Sequence, residues 1–338
     1  MPSVIGVDLG GTNVRAASFS LNGEMLGSRF EQPSRAQEGT EAVIDSMAAC
    51  ISQAVQHANS EVKAVGIAVP GHIDTAKGVV VWAPNFGKEV NGTFQYWENV
   101  ELGAALQERL QLPILLGNDA NFAALGEYMY GSGKGTANAL VMLTLGTGIG
   151  GGVILGQNSV VGNCSGPLML VGGNQGGAEL GHSTILAGGL DCNAGSYGAL
   201  EAYCQRDSII NRATHRLKRG RSSVLLEWIK GDYSLVTPKL LCDAADAGDE
   251  LALEIWQETG SYLGVAIGSY INVFSPSVFA IGGQIAKAGE YILGPARKTA
   301  ENYAIPSLFR DCEIVQAELV EDAGMIGGAA MAIQSLTR

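Results

Sequence analysis

The sequence predicts an α/β protein built from two related domains that face one another across a cleft. Three observations carry this. An apolar strand that runs into a glycine turn and a returning strand occurs twice, at Val4 and again at Ala139, with α/β material after each copy. The chain has 338 residues, enough for about two domains at roughly 150 residues each. Its 47 glycines are clustered at a few turns and not spread at a fixed period, so they mark sites and not a fibrous repeat.

Taken in order, Val4, Ile5 and Val7 form a strand, Gly10-Gly11 a tight turn, and Val14 to Phe19 an antiparallel return. Val43, Met47, Ile51 and Val55 recur every fourth residue and predict a helix over 39–58. Val62 to Val69 reads as a buried strand ending at Pro70-Gly71. A helix over 100–110 precedes a strand at Ile114–Leu116, which runs into Asn118-Asp119 and a helix over 120–130. The second copy has a strand over Ala139–Leu145, a glycine turn over Gly146–Gly152 and a returning strand over Val153–Leu155. Residues 240–272 read as strongly helical, Val278–Ile281 as a strand, and Gly282-Gly283 opens a further helical segment. The C-terminal DAGMIGGAAMAI, with Met325 and Met331, reads as a small-residue helix packed closely against a neighbour.

Composition excludes several classes. With 21 Lys and Arg against 33 Asp and Glu, the formal charge is −12, the wrong sign for a phosphate-neutralising nucleic-acid binder. The one basic cluster, Arg216 to Arg221, reads as a solvated helix end. Residues 135–178 and 260–286 are long and uncharged, yet interrupted by glycines, Asn272 and Pro276, so buried strands and a core helix are expected and no membrane span. No basic leader opens the chain, and six scattered cysteines make no disulfide scaffold. Both point to a reducing cytoplasm.

The glycine turns bear on chemistry. Asp8-Leu9-Gly10-Gly11-Thr12-Asn13 puts a carboxylate at a strand end before two glycines and a hydroxyl. Backbone N–H groups there could cradle phosphate while Asp8 holds hydrated Mg2+, or the turn could be a plain hairpin with an exposed acid. Gly146, Gly148 and Gly151 satisfy the spacing of a dinucleotide fingerprint. A strand follows them in place of a helix, however, and no acid appears before Glu179, which leaves a second phosphate-cradling hairpin. Two such hairpins facing each other would grip a nucleotide's phosphates. Asp119, at a strand-to-helix junction, is then the candidate general base, a role that can coexist with helix capping.

In order and spacing, Asp8–Asn13, Pro70-Gly71, Asn118–Asn121, Leu145–Gly152, Glu179-Leu180-Gly181-His182, Leu200-Glu201 and Gly282-Gly283 resemble the bacterial ROK family of sugar kinases and regulators, over essentially the whole chain. The resemblance implies an actin-like (ribonuclease H-like) ATPase fold of two α/β domains around a central cleft, and phosphorylation of a hexose by ATP. It places the first domain at 1–117 plus about 320–338, and the second at 118–319. Asp119 becomes the base for the sugar's 6-hydroxyl. Asn85, Asn118, Glu179, His182 and Glu201 become sugar contacts. Gly10, Gly11, Thr12, Asn13, Thr147 and Gly148 line the phosphates, Asp8 holds Mg2+ through water, and Gly282 and Gly283 lie near the adenosine. Glucose is the expected hexose, with N-acetylmannosamine, N-acetylglucosamine, fructose, mannose or allose as alternatives.

The family also implies a zinc knuckle, from which the sequence departs. The stretch Cys192–Ala199 keeps the glycines but has alanine at 194 and 199 where thiolates are expected. No zinc site is therefore expected, although Cys164 or Cys204 could approach. The Gly-, Asn- and Ser-rich segment 155–178 reads as a flexible loop near the cleft, covering the sugar or meeting another subunit. His57, His72 and His215 lack ligand partners and read as surface or structural. Trp82, Trp97, Trp228 and Trp256 read as packing, and Cys50, Cys242 and Cys312 as small buried apolar residues. A homodimer is implied, with polyphosphate the alternative donor. The rivals are a non-catalytic sugar-responsive regulator, which would carry a further N-terminal helical segment, and an actin-like ATPase with a protein partner.

Overall fold

A computed structural model describes residues 2–162 and 166–337. The first repeat opens with β1 (Ser3–Leu9) and β2 (Asn13–Ser20), an antiparallel hairpin in which Leu9 faces Val14. β3 (Phe30–Pro33) pairs with the outer side of β2. After α1 (Thr40–Gln56), β4 (Val62–Val69) returns parallel to β1. A separate antiparallel ribbon follows, made of β5 (His72–Asp74), β6 (Val79–Val90) and β7 (Thr93–Val100). Its register breaks between Ala83 and Gly87, which interrupts the alternation that marks a strand and hides the ribbon from the sequence pattern. α2 (Leu102–Leu110) then leads to β8 (Ile114–Asn118), parallel to β4, and α3 (Asp119–Tyr130) follows directly.

The second repeat begins with β9 (Ala139–Leu145), β10 (Ile149–Leu155) and β11 (Leu168–Met169). A helical layer comes next: α4 (Glu201–Cys204), α5 (Arg206–Lys218), α6 (Leu225–Ile229), α7 (Pro238–Asp246) and α8 (Glu250–Phe274). β12 (Val278–Gly282) runs parallel to β9. α9 (Glu290–Tyr303) and α10 (Pro306–Arg310) lead to β13 (Glu313–Gln316), and α11 (Ala323–Ser335) packs back on β1 and β4. The sheet orders β3-β2-β1-β4-β8 and β11-β10-β9-β12-β13 correspond strand for strand. The repeat seen in the sequence is thus a repeat of topology. One core packs the first sheet on α1 and α2, a second packs the other sheet on the helical layer, and α3 and α11 lie between the sheets.

One predicted boundary differs. The glycine turn closes within Gly146–Gly148, and Gly150, Gly151 and Gly152 belong to β10. A Cβ at Gly150 would lie 2.7 Å from the Ala120 methyl, and one at Gly151 2.9 Å from Leu180, so these glycines serve the approach of α3 and of the Leu180 turn. The helical stretch 240–272 holds two helices, α7 and α8. Gly248, at φ 78°, ends α7, and Asp249 caps α8 by accepting the Ala252 N–H at 2.9 Å. The uncharged stretch 260–286 owes its composition to packing: Gly260, Gly264 and Gly268 form a stripe along which α9 approaches, and no helix among the described residues is long and apolar enough to cross a membrane. Arg216 and Arg221 pair with Glu254 at a helix end, as read from the sequence.

Candidate active site

β1, β8 and α3 converge on a cleft of about 730 Å3 lined by Asp8, Asn118, Asp119, Glu179, His182 and Glu201, among others. The chain reaches it at strand ends, where side chains are freed from sheet packing. Asn118 ends β8 and caps α3, its Oδ1 accepting the Asn121 N–H at 3.1 Å, while its Nδ2 donates to the Gly71 carbonyl at 2.9 Å. The cap is therefore Asn118. Asp119, one residue on, keeps its carboxylate directed into the cleft, with only the Ala120 N–H donating to it, at 2.8 Å, among the described residues.

Asp119 is half-buried as a residue, but its carboxyl group sits deep in the cleft. Burial, with Asp8 and Glu179 adding like charge, pushes its pKa up from 3.8 to about 6. Burial also raises Asp8, which Arg15 pulls down and Asp322 pushes further up. No protein donor bonds the Asp8 carboxylate among the described residues. Two mutually repelling carboxylates beside open space fit a hydrated divalent cation held by Asp8.

The other wall is built from the second repeat. Glu201, buried at the start of α4, accepts the Ile149 N–H at 2.8 Å, and Gly148 leaves the room: a Cβ there would sit 2.7 Å from Glu201 Oε2. Glu179 and His182 flank the single turn Leu180–His182, with His182 Nε2 3.9 Å from Glu179 Oε2. Tyr270 of α8 pins that turn by donating to the Leu180 carbonyl. Burial pushes this phenol up to about 12, so it remains a donor.

A second cavity of about 600 Å3 adjoins the first, sharing Gly146 and Gln284. Thr147, Thr237, Pro238, Ile285 and Ala288 line it, with Trp256 behind and Arg206, Lys239 and Lys287 at its margin. Each cation has its own acid: Asp207 at 2.8 Å, Asp243 at 3.0 Å and Glu321 at 3.3 Å. Sequence reading missed most of this cavity, because its lining is dispersed over α5, α7 and the turn after β12. Cys242, read as a packing residue, also lines it.

Not every predicted residue lines these cavities. Asp8 does, but Gly10, Gly11, Thr12 and Asn13 stand at the exposed hairpin beyond it, and Asn13 Nδ2 donates to Glu31. Asn85 is exposed, in the left-handed region at φ 65° within the register break of β6, and its neighbour Pro84 lines the cleft instead. Gly283 lines it and Gly282 does not. His72 and Trp82, read as structural or packing residues, both line it.

Parts of segment 155–178 are anchored. β11 pairs with β10, His72 Nε2 donates to the Asn174 carbonyl at 3.0 Å, and the Ala76 N–H donates to Gln175 Oε1 at 3.2 Å. Cys164 lies outside the described residues. Of the knuckle, Cys192 Sγ lies 3.5 Å from His182 Nδ1, and the ligand atoms of His182, Cys192 and Glu201 lie within 4.8 Å of one another. Three donors, one already bonded by a backbone N–H, do not fit the closed four-ligand site of a structural zinc, and no fourth joins them among the described residues.

The model of the ROK family matches residues 4–335. A glucokinase of Thermotoga maritima is 36% identical over 97% of this chain and 96% of its own length. A crystal structure of a ROK family glucokinase from Streptomyces griseus, in complex with glucose and AMPPNP, superposes with a TM-score of 0.78 at 30% identity, over 98% of this chain and 99% of that one. A ROK family transcriptional regulator, described as a homolog of the E. coli MLC protein, superposes with a TM-score of 0.84 at 25% identity, over 99% of this chain and 78% of its own. The two matching sheets and these neighbours give the actin-like, ribonuclease H-like ATPase fold.

Proposed function

The chain belongs to the ROK family, and from that premise we propose that it is an ATP-dependent hexokinase, a glucokinase, which transfers the γ-phosphoryl group of ATP to the 6-hydroxyl of glucose. The observation that carries the reading is Asp119: a carboxylate at the floor of a polar cleft, poised at about 6 to accept a proton near neutral pH. As the sugar's O6 bonds to the γ-phosphorus, the bond to the bridging oxygen of ADP breaks and the hydroxyl proton passes to Asp119.

Asn118, Glu179, His182 and Glu201 suit the remaining hydroxyls, since charged groups make hydrogen bonds of about 1.5–3 kcal/mol each. The adjoining cavity suits the nucleotide. Pro238, Ile285 and Ala288 offer an apolar slot for adenine, while its cations, each matched by its own acid, form no open track for polyphosphate. Thr147 and Gly148 stand between the two cavities, where phosphates would lie. Asp8 would hold Mg2+ through water, and the bound ion would supply charge neutralisation at the phosphates.

The proposal extends to two lobes, 1–117 with about 320–338 and 118–319, closing on sugar and nucleotide to exclude water. It extends equally to a cytoplasmic homodimer. Likeness to a regulator favours a second reading, a sugar sensor without turnover. ADP release with MgATP across glucose, mannose, allose, fructose and N-acetylhexosamines separates the readings. Glucose-dependent release is expected. Preference for another sugar changes the acceptor, and sugar binding without release supports the sensor.

A further inference from the structure

Trp82 is the one large aromatic side chain lining the cleft among the described residues, and it does little packing there. It is 44% exposed, whereas Trp97 and Trp256 are 2% and 1% exposed in the cores. Its place is fixed by backbone. Gly71 leaves no room for a Cβ against the Trp82 carbonyl, so the two chains lie in contact, and the Gly71 carbonyl is the acceptor for Asn118 Nδ2, next to Asp119. Tyr96 supports the indole from the side, at 6.2 Å between ring centroids and 44° between planes. An indole is thus held open to the cleft on the ribbon of the first lobe, and through Gly71 it is tied to Asn118, Asp119's neighbour at the lobe boundary. The carboxylates Glu179 and Glu201 come from the other lobe.

A hexopyranose matches that pair of walls. Its hydroxyl rim asks for carboxylates, an amide and an imidazole. Its ring faces present C–H groups, which the electron-rich face of an indole attracts. Apart from the anomeric position, glucose carries every ring hydroxyl equatorially, so no hydroxyl at C2, C3 or C4 stands across either face. Mannose turns the 2-hydroxyl, galactose the 4-hydroxyl and allose the 3-hydroxyl across a face. Mannose and galactose obstruct the same face, and allose obstructs the opposite one.

We propose that Trp82 is a specificity-determining residue that stacks on one ring face of the bound hexose and discriminates against epimers carrying an axial hydroxyl on that face. The inference rests on the hexokinase reading and deepens it, and its test separates the two. Wild type and Trp82→Ala are assayed with glucose, mannose, galactose and allose. In Trp82→Ala the KM for glucose rises about tenfold, as expected for loss of one ring face of apolar contact, while kcat changes less than twofold. The wild-type preference for glucose over mannose and galactose, or over allose, shrinks at least threefold, and Trp82→Phe recovers most of both losses.

Binding gives a second readout that requires no turnover. Glucose alone changes tryptophan emission in Trp228→Phe, which keeps Trp82, and leaves Trp82→Phe unchanged. A wild type that phosphorylates glucose, combined with a Trp82→Ala variant of unaltered KM and unaltered epimer ratios, overturns the inference and leaves the kinase reading intact. A wild type inactive on every hexose overturns the reading beneath it.

Discussion

At the scale of single residues, the decisive feature is an acid whose proton is held more tightly in the fold than in the open chain. Burial and the like charges of Asp8 and Glu179 raise Asp119 from 3.8 to about 6. Only the deprotonated form accepts the hydroxyl proton, so kcat/KM should fall below about pH 6 and level off above it, as a pH–rate profile of the free enzyme will show. The same shift sets a sign for stability. A raised folded pKa favours folding at low pH, and that contribution is lost as pH rises from about 4 through about 6. Asp119→Asn should therefore melt higher than wild type at pH 8, with the gain vanishing towards pH 4, in paired calorimetric scans. At the knuckle, elemental analysis should find well under one zinc per chain, because alanine stands at 194 and 199 and the Glu201 carboxylate already accepts the Ile149 N–H. Asp119, Glu179 and Glu201 were legible in the sequence because each sits in a short motif at the end of an element. Asn85 was named with them, but it is exposed and its neighbour Pro84 lines the cleft, because a register break in β6 decides which of the two faces it. Trp82 was not legible, because its exposure depends on pairing across a ribbon the sequence did not reveal.

At the scale of elements, glycine sets how close the layers come. A Cβ at Gly66 of β4 would collide with the Gly328 carbonyl of α11, and backbone cannot swing away as a side chain does. Gly66→Ala should cost about 3 kcal/mol in urea unfolding. Gly173→Ala, where a Cβ meets nothing within 4 Å, should leave the midpoint unchanged. The small-residue helix was readable because its composition has one simple packing consequence. The end of the glycine turn at Gly148 was not readable: glycines in a turn and glycines under a crossing helix look alike until the helix is in place.

At the scale of the whole molecule, one buried carboxylate joins the chain segments that cross between the sheets. Glu127 of α3 accepts the N–H groups of Ser132 at 3.0 Å, Glu318 at 2.8 Å and Leu319 at 3.0 Å. It thus ties the crossing that leaves α3 to the one that enters α11. Glu127→Gln, which removes the anion and half of the acceptor capacity, should cost about 1–3 kcal/mol, and it should change kcat and KM together, as a disturbed hinge does. The duplicated topology was legible from the spacing of two glycine hairpins. The nucleotide cavity was largely not, because its walls come from segments far apart in the chain. In the proposed mechanism Asp119 is the base in phosphoryl transfer. The most direct test measures glucose-dependent ADP release and glucose binding side by side for wild type and Asp119→Ala. Turnover lost by about 1,000-fold with glucose still bound is the predicted result. Turnover retained in the variant would contradict it.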